Sequence, residues 1–154
     1  MRKLTKSEVQ AILQDDKNLA GCDLSGLDLW RFDFTAANLA GAQLSSTEPY
    51  VDDEQWYNQY ALGFRKGPVM PQANLAQAQM QRANLRKANL RKANLTQADL
   101  SGADLSKASL HGANLTQANL CGAKLIGVNL SHTILVDVVS DNTTIWPTHF
   151  TPAP

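Results

Sequence analysis

Residues 83–102 read ANLRK-ANLRK-ANLTQ-ADLSG, four successive groups of five residues with one layout. Each group begins with alanine, continues with asparagine or aspartate, and has leucine at its centre. The central residues Leu85, Leu90, Leu95 and Leu100 are therefore five positions apart, and each follows an alanine by two positions. This spacing decides the fold, because neither a helix nor a flat strand can bury residues that recur in this way.

A period of five fits a chain that turns a corner after every group. On an α-helix, leucines five residues apart would step by about 140° and spread around the whole cylinder. On a flat strand, an odd period sends neighbouring leucines to opposite faces. Four short sides that close one square coil of roughly 20 residues point every leucine inward, and stacked coils pair their backbone groups at about 4.8 Å. The interior leaves room for only a small companion beside each leucine, which explains the alanines.

The same layout extends over two blocks of the chain. A large apolar residue occupies every fifth position in 19–44 and again in 75–135. In the second block, the residue two positions earlier is small or apolar throughout. The first block departs from the alanine pattern by placing the bulky Leu27 and Phe32 at the small position. Those two residues predict either strain in that coil or the capped end of the stack.

The groups Ala-Asn-Leu-Arg-Lys at 88–92, Ala-Asp-Leu-Ser-Gly at 98–102 and Ala-Asn-Leu-Cys-Gly at 118–122 closely resemble the A(D/N)LXX signature of the pentapeptide-repeat family. The resemblance covers residues 22–46 and 73–137. It implies an all-β fold, a right-handed quadrilateral parallel β-helix with leucine or phenylalanine stacked in its interior. It also implies a protein that, like most of the family, has no enzymatic activity, and a kind of protein that is numerous in cyanobacteria.

The ends of such a solenoid need covers, because terminal coils expose apolar side chains and unpaired edges. Thr5 followed by Glu8 predicts a capping box, and a helix over about 6–15 would lie on the first coil. At the other end, Trp146 and Phe150 are expected to fold over the last coil. The predicted parts of this single domain are a helical cap at about 5–16, coils at about 17–46 and 73–137, an insertion at 47–72, and a C-terminal cap at 138–154.

The insertion contains half of the chain's aromatic residues. The leucines change phase across it, which indicates an excursion inserted at a corner and not a set of decayed repeats. Long insertions are often functional, and aromatic and arginine side chains anchor interfaces. The candidate protein-binding residues are Tyr50, Trp56, Tyr57, Tyr60, Phe64 and Arg65. The sequence equally allows these aromatics to fold back onto the coil wall and seal it.

Composition narrows the classes of function. The 14 basic and 14 acidic residues give zero formal net charge, which argues against a protein-wide attraction to nucleic acid or to anionic membranes. No leader is visible, and no run approaches the ~18 apolar residues of a membrane span. Two cysteines cannot form a disulfide framework, so we expect a reducing, cytoplasmic compartment.

The sequence predicts no catalytic residue, no metal site and no cofactor. No carboxylate or thiol falls beside His111 or His132 in the coils, so neither belongs to a metal cage or a base–nucleophile pair. The glycines fall mostly at the fifth, corner position of their groups and form no phosphate-binding loop. An enzyme remains an alternative, with its site in the insertion formed by Asp52, Asp53, Glu54 and Arg65 against the coil.

Five cations fall on three successive sides of one coil: Arg82, Arg86, Lys87, Arg91 and Lys92. They are candidates for binding an acidic protein surface or a polyanion, with Lys107 one coil above. Nucleic acid is not expected, because no aromatic residues interleave with them. The alternative is a solvated surface that only keeps the protein soluble. The coil period also places Asp104 beside Lys124, which predicts an ion pair.

The sequence therefore predicts a rigid, non-enzymatic protein that presents its outer surfaces to another, unidentified protein, as a monomer or a weak end-to-end dimer. The resemblance also includes a narrower class that imitates B-form DNA and binds DNA gyrase. This chain shares an insertion with that class but departs from it in its neutral charge and short rod. Gyrase binding is therefore the secondary hypothesis.

Overall fold

A computed structural model describes residues 1–27, 29, 32–45, 72–148 and 150. Almost the whole described chain winds into stacked coils, in which each straight side pairs with the coils before and after it through a single residue. The pairs are parallel and join residues 20 positions apart, as in Asn94 with Asn74 and Asn114. A coil of this length built from groups of five has four sides, so the predicted quadrilateral parallel β-helix is confirmed.

We name the four sides A to D in chain order. Side A is centred on Asn38, Gln79, Asp99 and Asn119, side B on Gln43, Asn84, Asp104 and Lys124, side C on Asn89, Ser109 and Asn129, and side D on Asn74, Asn94 and Asn114. Backbone hydrogen bonds run along the stack in both directions. The Leu95 N–H donates to the Asn114 carbonyl at 2.7 Å, and the Asn94 N–H donates to the Ala73 carbonyl at 2.9 Å. Each side is thereby fixed above its counterpart.

The register of the coils survives the insertion. On sides A, B and D, the pairs that cross it join residues 41 positions apart: Asn38 with Gln79, Gln43 with Asn84, and Asp33 with Asn74. Partners in uninterrupted coils are 20 positions apart. The chain between these partners is therefore longer by the length of one coil and a single further residue. In this coil the described chain stops at Ser45, after side B, and resumes at Gln72, before side D, which is the interval that side C fills in the following coils. Residues 46–71 lie outside the described residues.

Leucine and alanine fill the interior in the way the spacing predicts. The central residues of the groups are fully buried from Leu19 to Leu125, including Phe34 and Met80. The alanines two positions earlier are at most 1% exposed from Ala73 to Ala123. Burying one such leucine stabilises a fold by about 1.5–3 kcal/mol relative to leaving it in water. The core is a filled column, and functional groups are left to the outer surface.

The bulky residues of the first coil mark its capped end. Leu27 and Phe32 are only partly buried and lie against the edge of the core. The Phe32 ring stacks on Phe34 with centroids 5.9 Å apart, and the Lys6 ammonium lies 5.4 Å from the Phe32 centroid. Because no other described coil precedes the first one, these large side chains have room that the alanines lack.

The N-terminal cap is helix α1, Lys6–Gln14. Its capping box is confirmed: Thr5 Oγ1 accepts from the Glu8 N–H at 3.3 Å, and the Thr5 N–H donates to the Glu8 carboxylate at 2.8 Å. Val9 is fully buried on the core side of the helix. Within the part of the chain that the structure describes, no helix has the length and apolar character needed to cross a membrane.

The C-terminal end adds two more sides to the stack. Val139 pairs with Asn119 and Ile145 pairs with Lys124, which extends sides A and B beyond the repeats recognisable in the sequence. Trp146 packs partly buried against the core, and the Phe150 ring lies 5.0 Å from it. The predicted placement of these two aromatics at the last coil agrees with this geometry.

Candidate protein-binding surface

The aromatic candidates lie outside the described residues. These are Tyr50, Trp56, Tyr57, Tyr60, Phe64 and Arg65, and the acidic residues of the enzyme hypothesis, Asp52, Asp53 and Glu54, lie there as well. Both sets stay predictions. The described chain does show where the insertion departs from the coils, because Ser45 lies after side B and Gln72, its last residue, lies before side D of the second coil. The Gln72 N–H donates to the Arg91 carbonyl at 2.8 Å, which ties this attachment point to the coil that carries the cations.

Three of the five predicted cations occupy corners with left-handed backbone. The φ angles of Arg82, Lys87 and Lys92 are 56°, 57° and 54°. This conformation disfavours ordinary side chains by roughly 1–2 kcal/mol per residue, so the corner geometry is imposed by the stacked sides. The stems lie along the rod wall: a β-carbon added to Gly102 would sit 3.5 Å from Arg82 Cγ, and one added to Gly112 would sit 3.4 Å from Lys92 Cγ. Glycine one coil above thus leaves space for each stem.

The structure divides the five cations among three corners. Arg82 lies between sides A and B, Arg86 and Lys87 lie between sides B and C, and Arg91 and Lys92 lie between sides C and D. Four of the five therefore border one flat side of the rod, side C. Arg82 is separated from them by the whole of side B.

The next coils add further basic groups at the borders of side C. Lys107 follows Lys87 at one corner, whereas His111 and His132 follow Arg91 and Lys92 at the other. His111 Nδ1 lies 2.7 Å from Ser131 Oγ, and the two imidazole rings meet edge to face with centroids 5.2 Å apart. We define the basic face as side C of these three coils with its two corners: Arg86, Lys87, Lys107, Arg91, Lys92, His111 and His132. The histidines were missed as part of it, although the coil period already placed His111 beside Arg91.

Uncharged polar residues occupy the middle of the basic face. Asn89 is 6% exposed, and its Oδ1 accepts from the Arg91 N–H at 3.2 Å. Ser109 and Asn129, one and two coils above, are half-buried. The Asn129 Oδ1 accepts from the N–H and the hydroxyl of Ser131 at 2.9 and 2.6 Å. The face is therefore flat and polar at its centre and basic at its edges.

The carboxylates of residues 72–148 lie away from side C. They are Asp99 on side A, Asp104 on side B, Asp137 at the corner of sides D and A, and Asp141 in the C-terminal segment. Asp104 does not pair with Lys124 as the sequence predicts. Its Oδ2 lies 3.2 Å from Arg86 Nη1, because the arginine at the corner leans back toward the next coil of side B. Burial raises the pKa of Asp104, but hydrogen bonds from Ser106 and Arg86 outweigh burial and hold it below its usual value.

The described residues form no group of three or more histidine, cysteine, aspartate or glutamate side chains that could hold a metal ion. A shallow, open depression at the corner of sides A and B is lined by Asn38, Gly41, Gln79, Gln81 and Arg82 together with small residues. It contains one charged side chain and no nucleophile paired with a base. The described surface therefore offers recognition groups in rows and no assembled reaction centre.

Comparison with known proteins agrees with the coil geometry. A sequence model described as pentapeptide repeats matches eight copies, over residues 18–48, 72–106 and 103–139. No match was found among curated proteins.

Among solved structures, a pentapeptide repeat protein (Rfr23) from the cyanobacterium Cyanothece 51142 is 27% identical, with 92% of this chain and 99% of that one covered and a TM-score of 0.49. A pentapeptide repeat protein of the Arabidopsis thaliana thylakoid lumen is 28% identical, with coverages of 88% and 71% and a TM-score of 0.44. QnrB1, a plasmid-mediated fluoroquinolone resistance protein, is 18% identical, with coverages of 79% and 61% and a TM-score of 0.37. The chain belongs to the pentapeptide-repeat family and folds as its right-handed quadrilateral β-helix.

Proposed function

We propose that this protein is a non-enzymatic scaffold that binds another protein through the rigid outer faces of its rod. The observation that carries the proposal is the filled interior, in which leucine and alanine leave no space for a substrate. Outward side chains stand in fixed rows one coil apart. Membership of a family whose proteins are generally structural or interacting supports the same class of function.

The outer rows are held in place before any partner arrives. Glutamine side chains form a row along the corner of sides D and A. Gln77 Nε2 donates to Gln97 Oε1 at 3.0 Å, and Gln97 Nε2 donates to Gln117 Oε1 at 2.9 Å. On side D, the Asn94 amide donates to Asn74 Oδ1 at 3.1 Å. Side chains that are already ordered lose less conformational entropy when a partner binds. A rod of this kind suits recognition by a surface of fixed shape.

Both candidate surfaces are connected to the same part of the rod. The described chain is interrupted between Ser45, after side B, and Gln72, before side D, and the basic face occupies side C between the same two sides in the following coils. We place the partner on this side and the protein in a reducing compartment such as the cytoplasm. The half-buried thiols of Cys22 and Cys121 are free, which suits that compartment.

Gyrase binding by imitation of DNA is not favoured, because such imitation needs an acidic surface and side C of the third to fifth coils is basic. The enzyme hypothesis depends on residues outside the described ones, so we propose no reaction.

The test is affinity capture from native lysate with the tagged chain and a variant that lacks residues 47–67. This deletion removes the length of one coil and a single further residue, which restores the one-coil interval between Gln43 and Asn84. It also places Met70, which stands five residues before Leu75, five residues after Leu44, so that it continues the series of central residues. We expect the intact chain to retain a partner protein in a stoichiometric amount, and the deletion variant to keep its fold by circular dichroism.

Retention of no protein by the folded, intact chain would contradict the scaffold proposal. Turnover of a small molecule by the purified chain would contradict its non-enzymatic part. Capture of the same partner in the same amount by the deletion variant would move the binding surface from the insertion to the coils.

A further inference from the structure

We propose that the basic face docks an acidic polypeptide segment of the partner, laid over side C. This inference rests on the proposed scaffold function and specifies the chemistry of the partner. It starts from the separation of charge around the rod: side C is bordered by cations at both corners, and no carboxylate of residues 72–148 lies on it. Asp104, on the neighbouring side, is already paired with Arg86.

The two borders of the face carry basic side chains at the spacing of the coils. Lys87 and Lys107 follow each other on one border, and Arg91 and His111 on the other, each about 4.8 Å farther along the stack. Three coils give the face a length of roughly 10 Å along the axis. Carboxylates on successive residues of an extended chain project to opposite sides, so one acidic segment can meet both borders.

The cations are partly pre-ordered, which raises their value in binding. Lys92 Cγ is held beside Gly112, and a β-carbon added to Gly127 would sit 3.6 Å from Lys107 Cγ. Long side chains normally lose rotamer freedom when they form an ion pair, and this loss cancels much of the gain at a surface. Stems that already lie along the wall lose less of that freedom.

The centre of the face suits a peptide backbone better than a nucleic acid. Ser109 and Asn129 are half-buried and bring hydroxyl and amide groups to the middle of side C, where they can meet backbone carbonyl and amide groups, whereas Asn89 is buried beneath that surface. The basic face contains no Phe, Tyr or Trp residue, and its two histidine rings pack edge to face against each other.

Charge reversal on the face with a matched control tests the proposal. The probe is a fluorescent oligoglutamate peptide, measured by anisotropy against the full chain at about 50 mM salt, where screening is weak. The test variant is Lys87→Glu/Lys92→Glu, at two corners of side C. The control is Arg82→Glu/Lys124→Glu, which changes the net charge equally but lies at the corner of sides A and B and on side B. Arg82 also shares the left-handed corner geometry of the test residues.

We expect the test variant to lose at least about tenfold in affinity and the control to lose less than about threefold. Equal losses would overturn the proposal, because net charge alone would then explain binding. Tighter binding of an oligonucleotide of equal charge would overturn it in favour of nucleic acid, and absence of peptide binding by the intact chain would overturn it outright.

The partner captured from lysate separates this inference from the scaffold proposal. If the intact chain retains a partner and the test variant retains it equally well, the basic face is wrong as the docking surface while the scaffold function stands. If only the test variant loses that partner, both are supported.

Discussion

The two ends of the rod are closed in different ways. At the N-terminal end, α1 lies over the first coil, and Leu4, Val9 and Leu24 are buried. At the C-terminal end, Val136 and Val139 are 55% and 54% exposed. The helix therefore seals its coil more completely than the partial coil and ring pair seal the other end, because α1 buries Val9 fully and packs Ile12 and Leu13 against the core.

The burial of the central residues records the same difference. Leu19 and Leu24 are fully buried in the first coil, whereas Leu130 and Leu135 are only partly buried in the last. In a stacked array, each coil is stabilised mainly by its neighbours, so the end with the poorer cover opens first. The comparison makes four predictions, given from the largest expected effect to the smallest.

Truncation of central leucines should separate the two ends most clearly. Leu24→Ala should lower the free energy of unfolding by about 2–5 kcal/mol, because it leaves a cavity in a closed interior. Leu130→Ala should cost less than half as much, since part of that side chain already meets water. Urea denaturation of both variants measures the difference. Equal costs would show that the last coil is as well covered as the first.

A hydroxyl group placed at each end gives a milder test. Val9→Thr should destabilise the protein by about 1–3 kcal/mol, because it buries a polar group beneath α1. Val139→Thr should change stability by less than about 0.5 kcal/mol, since its side chain is half exposed. Thermal unfolding of the two variants checks the order, and a larger loss for Val139→Thr would reverse our ranking of the ends.

The capping box should contribute a smaller amount to the N-terminal seal. Thr5→Ala removes the oxygen that accepts from the Glu8 N–H and should cost about 1 kcal/mol. Ser7→Ala, at an exposed position of the same helix, is the matched control and should cost nothing. Circular dichroism during denaturation reports both. A comparable loss for Ser7→Ala would mean that α1 depends on composition and not on its cap.

The smallest effect concerns Asp141, which helps to close the C-terminal end. Hydrogen bonds from the Thr143 side chain and from backbone N–H groups, including that of Gly122, lower the pKa of Asp141 from 3.8 to about 2, although partial desolvation opposes them. Because the folded pKa is the lower one, the ionised carboxylate stabilises the fold above about pH 4, and this contribution is lost as the pH falls to about 2.

The Gly122 amide resonance should therefore shift with a midpoint near pH 2 in the intact protein. It should lose that titration in Asp141→Asn, whereas Asp137→Asn, an exposed carboxylate nearby, should keep it. A midpoint near 3.8 in the intact protein would show that these hydrogen bonds are absent in solution.

The period of five predicted the buried side chains of the coils, but it predicted much less about the contacts of the outward side chains. Leucine and alanine at fixed spacing determine the interior because shape and volume leave no other arrangement, and Thr5 with Glu8 determine the start of α1. The partner of Asp104 was not predictable from register alone, since it depends on how the Arg86 side chain leans. Val139 and Ile145 join the stack by backbone pairing. Such pairing does not require the leucine and alanine pattern, so the repeat could not reveal these two sides.

The basic face was only partly predictable from the sequence for a related reason. The sequence located the cations on one coil, but it described a ring and not a side with two borders. The structure separates Arg82 from the others because position within a group decides the corner, and it adds His111 and His132 from later coils. The insertion candidates remain predictions, because a segment without the repeat has no register from which its neighbours can be read.

The extra segment between sides B and D shows how such rods can acquire new binding specificity. Sides A, B and D keep the same parallel pairing across the interruption that they have elsewhere in the stack. An added segment at a corner therefore needs no compensating change in the interior, and its length is free of the coil's period. A foreign recognition peptide can therefore be grafted at such a corner, and the rod would hold the two ends of the grafted peptide in a fixed orientation.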